Sequence, residues 1–245
     1  VPTFAIALGL SLLGGLGGLL IASAVLLLDN SRRSAVVPWL VSYAVGALLG
    51  IAIMGLLPEA LNGLDASHVF GTLLAGIMLF FVLEKLVLWQ HCHTHDCEVH
   101  GGTVASVIIG DAFHNFVDGA VIGAAVLTSV PLGISTAVAV AAHEIPHEIG
   151  DFAILLHAGY SRRNALLLNA LSALANVLGT LSAVAAFDVV PHILPYALAL
   201  AAASFLYIAM ADLMPGLHRG RTNAKSLLHV VMIALGIATM LLVKD

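Results

Sequence analysis

Long apolar runs separated by short polar breaks set the rhythm of this chain. The runs do not alternate apolar and polar residues at every second position, as the strands of a membrane barrel would. They persist instead over the roughly 20 residues that a bilayer-crossing helix needs. Eight such segments are predicted, at 4–28, 36–57, 69–90, 103–128, 131–157, 164–187, 192–214 and 227–243. The expected fold class is an all-α membrane protein, a single transmembrane domain over residues 1–245. No cleaved signal peptide is expected, and the chain opens at Val1 without a Met.

Composition points the same way. Hydrophobic residues make up 60% of the chain and charged residues 9%, with a mean hydropathy of +1.06. A soluble domain is about 25% charged. The basic residues then set an orientation. Arg32, Arg33, Lys85, Arg162, Arg163, Arg219, Arg221 and Lys225 all fall on one side of an eight-span arrangement, and only Lys244 falls opposite. That side is expected to be cytoplasmic, which puts both termini outside. The opposite breaks carry Glu59, Asp65 and Asp188 instead. No basic surface for nucleic acid is present.

A repeat runs through the pattern. Leu10, Ser11, Leu13, Gly18 and Leu20 match Leu171, Ser172, Leu174, Gly179 and Leu181, and Ile51, Ala52, Leu56 and Pro58 match Ile208, Ala209, Leu213 and Pro215. Span one thus resembles span six, span two resembles span seven, and each pair runs in opposite directions. Inverted repeats around a midplane site mark transporters. The other reading is chance likeness between helices rich in Leu, Ala and Gly, with the two prolines as plain helix terminators.

The fourth and fifth segments carry the polar chemistry. Asp111, His114, Asn115 and Asp118 share one helical stripe. In the next segment His143, His147 and Asp151 lie one turn apart, flanked by Glu144 and Glu148. An ionisable side chain at mid-bilayer costs about 2.5–3.5 kcal/mol on the insertion scale. Five carboxylates bare in lipid are therefore excluded; they line a wet cavity, carry protons or hold cations. His143-Glu144-Ile145-Pro146-His147 has the pattern in which two imidazoles one turn apart grip a metal. Pro146 frees a backbone carbonyl. The ligand types available suffice for two adjacent cations sharing a carboxylate; helix–helix polar contacts are the plainer alternative. Asp111, Glu148 and Asp151 either extend an ion path or form its mouth.

Residues 91–100 gather His91, Cys92, His93, His95, Asp96, Cys97, Glu98 and His100, which are soft and borderline metal ligands. The charge pattern places this loop in the cytosol, where thiols stay reduced. It is read either as a loose metal-capturing loop or as a solvated linker of biased composition.

His114-Asn115-Phe116-Val117-Asp118-Gly119, followed by His143-Glu144-Ile145-Pro146-His147-Glu148-Ile149-Gly150-Asp151-Phe152, closely resembles the ZIP (Zrt/Irt-like) metal-ion transporters, and within them the LIV-1 branch. The resemblance covers essentially the whole chain. It implies eight transmembrane helices with inverted repeats, spans one to three and six to eight, around a central pair formed by helices four and five. It also implies a two-metal site between that pair, with His114, His143 and His147 on one metal, Asn115 and Asp118 on the second, and Glu144 bridging. Asn176 falls where some bacterial relatives place a Glu ligand, and Gly55 where many have His.

The expected function is import of a divalent transition metal, zinc first, with Fe2+, Mn2+ and Cd2+ compatible with the same ligands. The expected partners are metal ions, the lipid bilayer and a second copy in a homodimer, and the expected compartment is the bacterial inner membrane. No nucleotide-binding loop appears, so direct ATP drive is not expected. Two rivals are an intramembrane zinc protease using His143, His147 and Asp118 as ligands with Glu144 as base, and a haem-bearing electron carrier with paired His.

Overall fold

A computed structural model describes residues 2–91, 101–217 and 224–244. The described residues form helices joined by short links, with no strand among them. In order these are α1 (Pro2–Leu26), α2 (Asn30–Ile51), a π-helical segment (Ala52–Leu56), α3 (Leu57–Gly63), α4 (Ala66–His91), α5 (Gly101–Thr128), α6 (Val130–His157), α7 (Arg162–Val189), a 3-10 turn (Pro191–Ile193), α8 (Leu194–Tyr207), a second π segment (Ile208–Leu213), α9 (Met214–Leu217) and α10 (Ala224–Lys244).

Among the described residues, six stretches are long and apolar enough to cross a membrane: Thr3–Leu26, Asn30–Gly63, Ala66–Lys85, Val107–Thr128, Arg162–Ala186 and Leu194–Leu217; Leu227–Val243 is a shorter apolar helix. The chain is thus a multi-pass membrane protein. At 28 residues α6 has the length but not the apolarity, because His143, Glu144, His147, Glu148 and Asp151 all lie on it.

The helix boundaries have local causes. Asp29 caps α2, accepting from the Arg32 amide at 2.9 Å. Ser129 caps α6 and Ser161 caps α7 in the same way, the favoured N-cap chemistry. Gly159, with φ of 88°, turns the chain between α6 and α7 in a conformation side chains rarely adopt. Outside the apolar helices, Asp65 accepts from Ser67 and contacts His68 at the start of α4. These contacts, that with His68 first, hold the Asp65 carboxyl below its ordinary range.

Prolines 58 and 215 do not stop their helices. In each case the residue just before the proline reaches back five residues, Leu57 N–H to the Ala52 carbonyl and Met214 N–H to the Ala209 carbonyl. A proline ring clashes with the carbonyl four residues earlier, and the wider π turn relieves that clash while the chain continues.

Packing centres on α5 and α6. α5 lies along α7, α6 along α1, α2 along α10 and α4 along α8, and α5 also contacts α6 directly. Glycines allow the closest crossings. A Cβ on Gly119 would stand 1.7 Å from the Asn176 carbonyl oxygen, and one on Gly179 1.9 Å from that of Phe116. The α2–α10 crossing repeats this with Gly46 and Gly236. Without a hydrophobic drive between helices in lipid, such backbone approaches and interhelical hydrogen bonds hold the bundle. Thr180 Oγ1 donating to the Gly119 carbonyl at 2.8 Å is one of those bonds, and Ser42 Oγ paired with His229 Nδ1 at 2.7 Å is another.

Candidate metal centre

The α5 stripe and the α6 stripe face each other inside the bundle. His114, Asp118, His143 and Glu144 each offer a ligand atom, all within 4.8 Å of one another. His114 Nε2 lies 3.1 Å from His143 Nε2 and 3.4 Å from Glu144 Oε1. Asp118 Oδ2 lies 3.0 Å from His143 Nε2 and 3.7 Å from His114 Nε2. Asp118, His143 and Glu144 are buried. Neither carboxylate has a hydrogen-bond partner on either oxygen. Buried charge without partners is costly, and two imidazole nitrogens aimed at two free carboxylates form a cation's donor set.

A second group adjoins the first. Asp111, His147 and Asp151 bring ligand atoms within the same limit, with His147 Nδ1 3.5 Å from Asp151 Oδ2 and 3.9 Å from Asp111 Oδ1. The His147 ring stacks on that of His114, centroids 4.9 Å apart. The two imidazoles of the His143–His147 pair therefore turn toward different carboxylates.

The surrounding contacts orient these side chains. His143 Nδ1 sits 3.1 Å from the Ala139 carbonyl, which fixes the ring and leaves Nε2 for the cluster. Asp111 accepts from Asn115 Nδ2 at 3.0 Å and from Ser172 of α7. Asn115 Oδ1 is buried without a partner. Asn176 accepts from Ser11 of α1 at 2.7 Å through Oδ1, and its Nδ2 has no partner.

The structure thus groups Asp118 with the imidazoles of His114 and His143, and His147 with Asp111 and Asp151, so neighbours in sequence part company in space. Gly55 lies in the first π segment, where the atoms nearest an added Cβ are apolar, Ile51 Cδ1 at 2.7 Å and Leu132 Cδ1 at 3.1 Å. Leu132 is about three helical turns from His143 along α6. Cys92, His93, His95, Cys97 and His100 lie outside the described residues, as does the His91 side chain.

Ser11, Ser172 and Asn169 are further polar residues of the centre's surroundings, all buried. A sequence signal for them exists: Asn169, Ser172, Asn176 and Thr180 recur at helical spacing on one face of an otherwise apolar helix.

The paired stripes on α5 and α6 lie within the stretch, residues 89–244, that the ZIP zinc transporter family model matches. The chain belongs to the ZIP zinc transporter family. It is 32% identical over 225 residues to the zinc transporter ZIP13 of Pongo abelii, covering 83% of this chain and 65% of that protein. It is 47% identical over 115 residues to the zinc transporter ZIP4 of Homo sapiens, covering 47% of this chain and 18% of that protein. With the zinc transporter ZIP10 of Danio rerio the identity is 43% over 129 residues, 51% of this chain and 15% of that protein. These relatives are of the LIV-1 branch. The chain accordingly spans from 15% to 65% of the length of these relatives.

Proposed function

We propose that this ZIP-family chain carries divalent transition-metal ions, zinc first, across a bilayer into the cytosol through a binuclear site between α5 and α6. One observation carries the reading: the largely buried His114–Asp118–His143–Glu144 cluster, whose carboxylate oxygens face imidazole nitrogens and have no hydrogen-bond partner. Imidazole with carboxylate suits zinc and, less selectively, Fe2+, Mn2+ and Cd2+. The imidazole position takes those four side chains. The second position takes His147 with Asp111 and Asp151, and Glu144 reaches toward both. Of Asn115 and Asp118, which the family likeness assigns to the second metal, Asn115 stays beside this position through Asp111, and its buried free Oδ1 supports an oxygen ligand there; Asn176 is kept as a further neutral ligand of the binuclear site.

Eight crossings are proposed: α1, α2 with α3, α4, α5, α6, α7, α8 with α9, and α10. Two features support inverted repeats. The π segments, Ala52–Leu56 and Ile208–Leu213, stand at matching places before Pro58 and Pro215. The pairings α1 with α6 and α2 with α10 exchange into α7 with α5 and α8 with α4 when the halves are swapped. Alternating access then moves the α5–α6 unit against the remainder. The same reading includes termini on the outside, a homodimer, the bacterial inner membrane and residues 91–100 as a cytosolic loop.

The divergence of His143 and His147 toward different carboxylates gives no support to a single catalytic zinc held by that pair. Proteoliposomes containing the purified chain and supplied with Zn2+, Fe2+, Mn2+ or Cd2+ test the proposal. Saturable accumulation, fastest for zinc, is expected; flux no greater than that of empty vesicles refutes it.

A further inference from the structure

The binuclear site leaves Glu148 without a task. It is 1% exposed on an apolar bundle, and both of its oxygens lack any partner. It is not adrift, however. Its carboxylate comes within 4.8 Å of ligand oxygens on Asp111 and Glu144. Oxygens sharing one ion at about 2.0–2.6 Å stand no farther apart than about twice that distance, so the spacing fits a single cation. Glu144 belongs also to the imidazole position and Asp111 also to the His147 position. Each is therefore shared between this carboxylate trio and one of its neighbours. Ser172 of α7 and Asn115 together hold Asp111 in place.

We infer that Asp111, Glu144 and Glu148 form an oxygen-only cation stop between the two nitrogen-bearing positions. The inference rests on the transport reading and adds a step to it. Three carboxylates with no imidazole lack the nitrogen that favours zinc, so the position suits hard divalent cations of the Mn2+ and Mg2+ type and discriminates for zinc less than its neighbours do. Placed between two imidazole positions, such a stop holds transition-metal cargo less firmly than either neighbour, and conduction needs sites weak enough to leave. An ion leaving His143 exchanges its nitrogen ligands for Glu148 and Asp111 while keeping Glu144, then gains His147 and Asp151 while keeping Asp111. No electron moves, and any proton held by Glu148 or Asp111 is released as the ion enters, because only the deprotonated carboxylate ligates.

The test uses purified full chain in detergent, loaded with one equivalent of Zn2+ to fill the imidazole position and then titrated with Mn2+. Wild type should bind Mn2+ in a setting whose pulsed electron paramagnetic resonance shows no histidine 14N coupling. Glu148→Gln should weaken that Mn2+ binding at least tenfold while retaining the bound zinc. If the Glu148→Gln protein does not fold, Asp111→Asn, which keeps an oxygen for Ser172, should show the same loss. Mn2+ binding equal in wild type and variant, strong 14N coupling, or no Mn2+ bound beyond background would each overturn the stop. The last result would show three acids sharing protons. Failure of the transport reading itself looks different: zinc would not accumulate in wild-type vesicles, or would bind unchanged after His114→Ala.

Discussion

Gly18 of α1 lies so close to Glu144 of α6 that a Cβ on it would come within 2.7 Å of the Glu144 Cβ. The missing side chain lets α1 press on the backbone side of Glu144 and direct its carboxylate toward His114. The obstacle is a Cβ, not the far end of a flexible chain, so it cannot yield without moving α6. Gly18→Val should therefore lower zinc uptake by more than it lowers protein abundance, with an overpacking cost of about 1–3 kcal/mol. Gly17, which has open space around it, gives the control. Equal uptake by Gly17→Val and Gly18→Val at matched expression would show that this contact does not set the geometry of Glu144.

Glu144→Gln keeps the shape of the side chain and removes its charge. Glu144 Oε1 faces both His114 Nε2 and His143 Nε2, at 3.4 and 3.5 Å. Altering groups that merely orient metal ligands typically costs 10- to 100-fold, so loss of the bridge should reduce uptake by about 100-fold or more. Immunoblotting of vesicles beside 65Zn accumulation separates this from poor expression. Wild-type uptake by well-expressed Glu144→Gln sinks the binuclear reading.

Much of the framework was readable in the residues. The apolar runs locate the helices, and the spacing of Asp111, His114 and Asp118 predicts a common stripe because helical periodicity is local. How α5 and α6 turn toward one another is not local. It depends on the Gly119–Asn176 and Gly18–Glu144 approaches across different helices, so the partition of Asp118 and His147 between two groups needed the structure. The π segments were hidden for another reason. Pro58 and Pro215 read equally as terminators, and only the five-residue hydrogen bonds of Leu57 and Met214 show the helix continuing.

The His- and Cys-rich residues 91–100 invite the opposite expectation from the buried cluster. Their ligands sit in a polar stretch, where an ion can be met but needs no protection from lipid. Replacing His91, His93, His95 and His100 together with Ser should leave transport competent, with a change in apparent affinity at most a few-fold. Kinetics of 65Zn uptake over a range of zinc concentrations measure this. Complete loss at normal expression would place these histidines in the obligatory path.

Asp118 and His147 should fail differently. Asp118 Oδ2 approaches His143 Nε2 at 3.0 Å, within one cluster, whereas His147 Nδ1 faces Asp151 and Asp111. Residues that serve one ion act as a unit, so their losses do not add. Asp118→Asn and His143→Ala should each abolish high-affinity zinc binding, and the double variant should be no worse than either single one. His147→Ala should keep zinc at the imidazole position yet slow uptake, because the next position has lost its nitrogen. Isothermal titration on detergent-purified variants reads the first effect, and vesicle flux reads the second. Additive losses for Asp118 and His143, or zinc binding abolished by His147→Ala alone, would show that the metal is held by a different set. In that case His147 would share the first ion with His143, as the spacing of the two histidines along α6 allows.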